Sequence, residues 1–140
     1  MTTLARQVDR DHEDEVARRL EAAWGMTLHH YALYDSLDYW AEKDGRMVAV
    51  VEVKAYNRAE GELPNAMMSL RKYLALLLTG VATGVHGLYV VRFTDSIRWI
   101  DVAMIDPMGR VKVGGRTDRN RPTDVEPIVL IPIRTMGHVR

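Results

Sequence analysis

The 140-residue sequence contains no cysteine. Disulfides and thiolate metal centres are therefore excluded, and the composition suits a reducing cytoplasm. Long apolar runs are also lacking. The longest unbroken aliphatic run, residues 74–78, is far too short for a membrane span, so no membrane partner is expected. The opening stretch MTTLARQVDRDHEDE has no apolar centre and does not read as a signal peptide. Net charge is absent as well, since 19 basic residues balance 19 acidic ones. A uniformly basic surface is thus excluded, but the charge is unevenly spread. Residues 1–107 hold 12 basic and 16 acidic side chains, and residues 108–140 hold 7 and 3. The excess in the last third is mostly arginine: Arg110, Arg116, Arg119, Arg121, Arg134 and Arg140. A basic segment on a mildly acidic body suits an anionic partner; a solvated loop accounts for it equally well.

What is present is an ordinary globular composition, 47% apolar and 27% charged, in a chain long enough for one core. No internal repeat or linker divides it, so residues 1–140 read as one domain with a core over about 11–105. Val16, Leu20, Ala23 and Trp24 recur at helical spacing, which predicts a helix over 11–24 stopped by Gly25. Residues 26–33 read as a weak strand. Residues 38–42 and 47–55 read as two strands around KDGR, with Asp44-Gly45 as the hairpin signal. A second helix is expected to start near Leu63-Pro64 and stop near Gly80. Strands are expected over 87–93 and 97–105. Residues 106–140 then form an appendage: a basic loop, a short hairpin through VKV, and a last strand confined to an edge by Pro127 and Pro132. The order implies an α/β or α+β domain with a mixed sheet.

The strand MVAVV turns polar where burial should be deepest, at Glu52 and Lys54. A glycine in the left-handed position of a type I turn favours a three-residue loop. With Lys43-Asp44-Gly45 as the loop, Asp38 pairs with Val50. With Asp44-Gly45-Arg46 as the loop, it pairs with Glu52. Either odd length puts Asp38 on the same sheet face as Glu52 and Lys54. Half-buried neighbouring carboxylates repel and are costly to desolvate, and a divalent cation relieves both penalties. Magnesium takes hard oxygen ligands, which Asp38, Glu52, the Val53 carbonyl and a substrate phosphate would supply. A nearby lysine can orient water or hold the phosphate, as phosphodiester hydrolysis requires. A structural ion pair between Glu52 and Lys54, with Asp38 as a turn residue, accounts for the same side chains. Extending the first helix's apolar face back from Val16 reaches Glu13 and His12, while Asp14 falls mainly on the wet side. Glu13 then faces the sheet within reach of a metal or Lys54. The preference of helix N-termini for acids explains the acidic run equally well.

Glu13, Asp38 and Glu52-Val53-Lys54, in this order, resemble the PD-(D/E)XK nuclease superfamily. Its signature is a glutamate in a first helix, an aspartate at a strand start, and Glu-x-Lys in the next strand. The resemblance implies the restriction-endonuclease-like fold, an αβββαβ core with a mixed central sheet flanked by helices, over residues 11–94. The pattern is also similar to archaeal Holliday junction resolvases and small phage nucleases. It implies that Asp38 and Glu52, with Val53, bind Mg2+ or Mn2+. It further implies that Lys54 positions water or stabilises the transition state, and that Glu13 supports a second metal or Lys54. Members often carry a polar or basic residue on the second helix, which points to Ser69 and Lys72. Leu37 stands where the family name has proline. Asp35 competes for the aspartate role but would face away from Asp38 in a continuous strand.

The expected activity is metal-dependent hydrolysis of DNA in the cytoplasm of a bacterium or phage-infected cell. Selection by DNA structure is expected, because no module for reading base edges is evident. Phosphate contacts are expected from Arg58, Ser69, Arg71, Lys72, Arg110, Lys112, Arg116, Arg119 and Arg121. A symmetric homodimer is expected, with the apolar stretch 128–133 as its interface. The alternative is a non-catalytic nucleic-acid-binding or assembly protein that keeps the fold; the intact Asp38, Glu52 and Lys54 speak against it. No residue separates RNA from DNA as the substrate. His12, His29 and His30 have no zinc spacing, and GVATGVHG lacks the GK[ST] ending of a phosphate loop. The tyrosines and tryptophans read mostly as core or sheet residues.

Overall fold

The computed structural model describes residues 3–31, 38–115 and 125–140; Asp35, Leu37, Arg116, Arg119 and Arg121 lie outside them. The first helix, α1 (Thr3–Trp24), begins earlier than its apolar stripe. It ends as expected at Gly25, at φ +64°, whose N–H donates to the Glu21 carbonyl at 3.0 Å. Three strands follow: β1 (Thr27–His30), β2 (Tyr39–Lys43) and β3 (Arg46–Ala55). Then come β4 (Asn65–Ser69), α2 (Leu70–Thr83), β5 (His86–Arg92), β6 (Ile97–Asp101), β7 (Val111–Gly115), β8 (Val125–Pro132) and β9 (Gly137–His138). They form a mixed six-stranded sheet, β1-β2-β3-β5-β6-β9, and a three-stranded sheet, β4-β8-β7. Only the β3–β5 pair in the main sheet is parallel.

The β2–β3 hairpin departs from the expected three-residue loop. Asp44 and Gly45 both have positive φ, +54° and +76°, and Lys43 pairs with Arg46. This is a two-residue type I′ turn, whose twist matches that of the flanking strands. Alone it would put Asp38 on the wrong face. The register shifts by one between Ala41 and Glu42, so that Glu42 pairs with Met47 and Ala41 with Ala49. Val48 is the extra residue of this β-bulge. Beyond it Tyr39 pairs with Val51, and one further step sets Asp38 opposite Glu52. Turn and bulge together restore the parity that a single odd loop would have produced.

Alternation along β3 divides the core. Ala49, Val51 and Val53 join Val16, Ala17 and Leu20 of α1, with Tyr39, Leu88 and Val90. Val50 joins Tyr73 and Leu76 of α2, with Tyr89, Ala66, Met68, Val129 and Ile131. α1 and the α2/small-sheet layer thus cover opposite faces of the main sheet, and Glu52 projects into the second. α2 lies close against β5. A Cβ on Gly80 would meet the Val85 carbonyl oxygen at 2.8 Å, and one on Gly87 the Leu76 carbonyl oxygen at 2.7 Å.

Two expected elements differ. α2 does not start near Pro64, because residues 65–69 form β4, with Ala66 and Met68 buried and Met67 exposed. The alternation is imposed by pairing with β8, from Asn65–Pro132 to Ser69–Ile128. Gly80 lies inside α2, and the stop is Gly84, at φ +73°, whose N–H donates to the Gly80 carbonyl at 2.8 Å. β8 is the central strand of the small sheet rather than an edge. Its prolines are tolerated because N–H groups alternate between the two strand edges. The Leu130 N–H points toward the β7 side, to the Arg110 carbonyl, so Pro127 faces the β4 side and Pro132 the β7 side. Each lies beyond the last pair on the side it faces. The burial of Ile128, Val129, Ile131 and Ile133 also withdraws the stretch 128–133 as an exposed dimer surface.

The packing of α2 gives a prediction of sign. Gly→Ala inside an open helix is stabilising by about 1 kcal/mol. At Gly80 the new methyl meets a backbone carbonyl, so urea unfolding should show Gly80→Ala to be less stable than the parent.

Candidate active site

β3 carries Glu52 and Lys54 toward α2, and Asp38, the residue just before β2, lies opposite Glu52. Glu52 is only 2% exposed. Its Oε1 accepts a hydrogen bond from the Lys72 ammonium, and its Oε2 is buried with no hydrogen-bond partner. Asp38 Oδ2 accepts from the Val53 N–H at 2.8 Å. The N–H and C=O of a strand residue point to the same edge. The Val53 carbonyl therefore also points to the β2 side, just past the last pair that β2 makes. Glu52 lines a small cavity of about 150 Å³ together with Lys54, Met67, Met68, Ser69, Arg71, Lys72, Tyr89 and Glu126.

The helix that delivers Lys72 is held by a capping bond. Ser69, the last residue of β4, is its N-cap, and its Oγ accepts from the Lys72 N–H at 3.1 Å. An unsatisfied donor of the first turn is thereby paired, and the positive end of the helix faces the carboxylates. Beneath the cavity, the Tyr89 hydroxyl donates to the Met67 carbonyl at 2.6 Å.

Burial pushes the Glu52 carboxyl up to about 7, the Asp38 charge adds to the rise, and Lys72 opposes it. Burial also raises Asp38, against the Val53 N–H, Lys72 and His30. For Lys72, burial favours the neutral amine, but the attraction and hydrogen bond of Glu52, with Asp38, outweigh it and raise the pKa. The site is therefore an ammonium beside two carboxylates that are both costly to ionise.

The structure brings together Asp38, Glu52, Val53, Lys54, Ser69, Arg71 and Lys72. Glu13 lies on α1, which packs on the other face of the sheet; burial raises the pKa of the Tyr39 hydroxyl, and the charges of Asp14, Glu13 and Asp38 add to the rise. Asp14, with its side chain 43% exposed, accepts at Oδ1 from the Tyr39 hydroxyl at 3.4 Å and lies 3.3 Å from His30 Nε2. Among the described residues, no three His, Cys, Asp or Glu side chains are grouped to hold an ion. Lys54 is not the partner of Glu52; it is exposed, with its ammonium 5.8 Å from the centre of the Tyr56 ring. Arg58 is exposed beyond β3 and does not line the cavity, and Arg110 lines another with Ile105 and Asp106. Lys112 is exposed on β7, one strand across from Ser69 through Ile128. Glu126, at the start of β8, was not legible as a site residue, since only the β4–β8 pairing brings it here.

In fold, the molecule is a restriction-endonuclease-like domain. It is similar to the solved structure of Hjc, a Holliday junction resolvase from the archaeal hyperthermophile Archaeoglobus fulgidus. The TM-score is 0.60 at 15% identity, over 91% of this chain and 88% of that one. A family model described as "Phage putative PDDEXK endonuclease" matches residues 3–139, and the chain belongs to that family. No curated protein matches it in sequence. No helix among the described residues is long and apolar enough to cross a membrane.

A carboxyl with a raised folded-state pKa binds its proton more tightly folded than unfolded, so it weakens the fold as pH rises. For Glu52 the window runs from the ordinary 4.5 to about 7, and the loss is about 3 kcal/mol at full ionisation. The Lys72 contribution is intact throughout this window. Urea unfolding of metal-free protein should show stability falling between about pH 5 and 7, and Glu52→Gln should remove most of that slope.

Proposed function

We propose that the chain is a divalent-metal-dependent deoxyribonuclease that hydrolyses phosphodiester bonds and selects DNA by structure. The observation that carries this reading is the buried, unpartnered Oε2 of Glu52 beside Asp38. A buried acceptor with no donor is costly, and a hard cation is the partner that suits a pair of carboxylates.

Asp38, Glu52 and the Val53 carbonyl would hold Mg2+ or Mn2+. When bound, such an ion polarises a phosphoryl oxygen and makes water more acidic. Lys54, at the exposed rim, holds the attacked phosphate or orients the water. Arg71, which lines the cavity, and Lys112, exposed on β7, would meet the flanking phosphates; Arg116, Arg119 and Arg121, outside the described residues, belong to the same basic set by sequence. Ser69 acts through its cap, keeping the first turn of α2 against the cavity. Glu13, on α1, would support the site from the side of Tyr39, whose pKa its charge helps to raise. One site per chain cuts one strand, so a symmetric pair of chains is the arrangement that cleaves duplex or junction DNA.

The Lys72–Glu52 ion pair favours a second reading, a nucleic-acid-binding module whose acidic residue is already neutralised. Cleavage separates the two. The panel is linear duplex, single strand, flap, four-way junction and single-stranded RNA, with Mg2+ or Mn2+ and with EDTA. The four-way junction is included because Hjc is a resolvase. Metal-dependent cutting of DNA is expected, abolished in Asp38→Ala and Glu52→Ala. Lys54→Ala should lower it by about 10²–10³-fold, the scale of one lost transition-state contact. Folded protein that binds DNA but cuts nothing would establish the binding module.

A further inference from the structure

We propose that Lys72 is the resting counter-ion of Glu52, its ammonium holding the place that a divalent cation takes when the site is loaded. This rests on the assignment of Asp38 and Glu52 as the metal carboxylates.

Two lysines line the cavity, and the one next to Glu52 along the strand is not its partner. Lys54 is turned over the Tyr56 ring, while Lys72 reaches across from α2 to Glu52 Oε1. The pairing balances charge incompletely. When both are ionised, Asp38 and Glu52 carry two negative charges against one ammonium. It also leaves hydrogen bonding incomplete, since Oε2 has no donor. A buried ion pair is a poor source of stability unless the remaining lone pairs are satisfied. A dication with several oxygen ligands meets both deficits.

The two cations cannot stay together. With Lys72 in place, a dication would leave one net positive charge on the cluster and face an ammonium at close range. With Lys72 withdrawn, two carboxylates and a dication are neutral. The side chain has somewhere to go: it is 39% exposed, whereas that of Glu52 is 3% exposed. Its backbone need not move, because the Ser69 cap holds the turn. Once released, the ammonium lies beside Arg71 at the positive end of α2, where a phosphate is the natural anion. Lys72 then stabilises the empty fold, weakens metal binding in the absence of nucleic acid, and becomes available to the substrate backbone.

The test uses Mn2+ alone, without nucleic acid, titrated calorimetrically into the parent, Lys72→Met, Lys72→Arg, Glu52→Gln and the double variant Glu52→Gln/Lys72→Met. Thermal unfolding of each is followed with and without Mn2+. Lys72→Met should bind Mn2+ about tenfold more tightly than the parent, the size of one removed like charge near the site. It should melt lower than the parent without Mn2+ and gain more on its addition. Lys72→Arg keeps the charge and should show no such gain. If Glu52→Gln abolishes binding while Lys72→Met binds no better than the parent, the counter-ion role is overturned and the carboxylate site stands. If Glu52→Gln leaves Mn2+ binding intact, or no protein binds it, the site assignment falls and the inference with it. Should Lys72→Met be unfolded without metal, refolding by Mn2+ supports the proposal. Failure to refold, with the double variant folded, overturns it.

Discussion

β3 and β5 are neighbours that run in the same direction, in register from Ala49–His86 to Ala55–Arg92. Parallel neighbours cannot be joined by a hairpin, so the chain must leave one end of the sheet and cross a face to re-enter at the other. That crossover contains β4 and α2. It begins where β3 ends, so the N-terminus of α2 sits beside the C-terminal half of β3, where Glu52 and Lys54 lie. Gly80 and Gly87 let the helix settle against β5. The location of the site is thus a consequence of strand direction, as is general where parallel strands end beneath a helix N-terminus.

The same placement sets the electrostatics. A carboxylate at the Glu52 position is cut off from water by the sheet on one side and by the small-sheet layer and α2 on the other. Asp38 opposite makes ionisation harder still, and one lysine compensates only in part. An apolar residue would pack at this position with less cost. A buried acid, raised by burial and by a like charge, beside a cavity lined by Arg71, Lys54 and Lys72 marks a candidate functional site. The other buried charge among the described residues, Arg98, makes three hydrogen bonds and leaves only its Nε without a partner. The Arg98 guanidinium donates to Glu60 at 2.8 Å and to the Ile133 and Met136 carbonyls at 3.0 and 2.5 Å, pinning the chain end to β6.

Much of this was readable where local pattern and tertiary demand agree. The stripe of Val16, Leu20 and Trp24, the stop at Gly25, the Asp44-Gly45 turn and the buried runs of β3 and β5 all emerged at or near their places. β4 was not readable, because Ala66, Met67, Met68 and Leu70 are good helix formers and its alternation exists only against β8. Asp38 shows a subtler case. Its face was anticipated from an odd loop, yet the chain reaches it with an even turn and a one-residue bulge, and nothing in the residues of β2 or β3 announces a bulge. For Glu13, helical periodicity indicates that it faces a sheet, but not which face.

By itself the sequence determined which side chains are candidates for the chemistry, because charged residues in an apolar strand context are costly enough to need a partner. It also determined the strands and helices whose periodicity is strong. The tertiary structure alone decided the pairing. Which lysine meets Glu52, which acid lies across the sheet, and which strand brings Glu126 to the cavity depend on contacts between residues far apart in the chain. Such contacts leave no periodic trace in the local sequence, since either lysine would satisfy the same charge and only packing chooses between them.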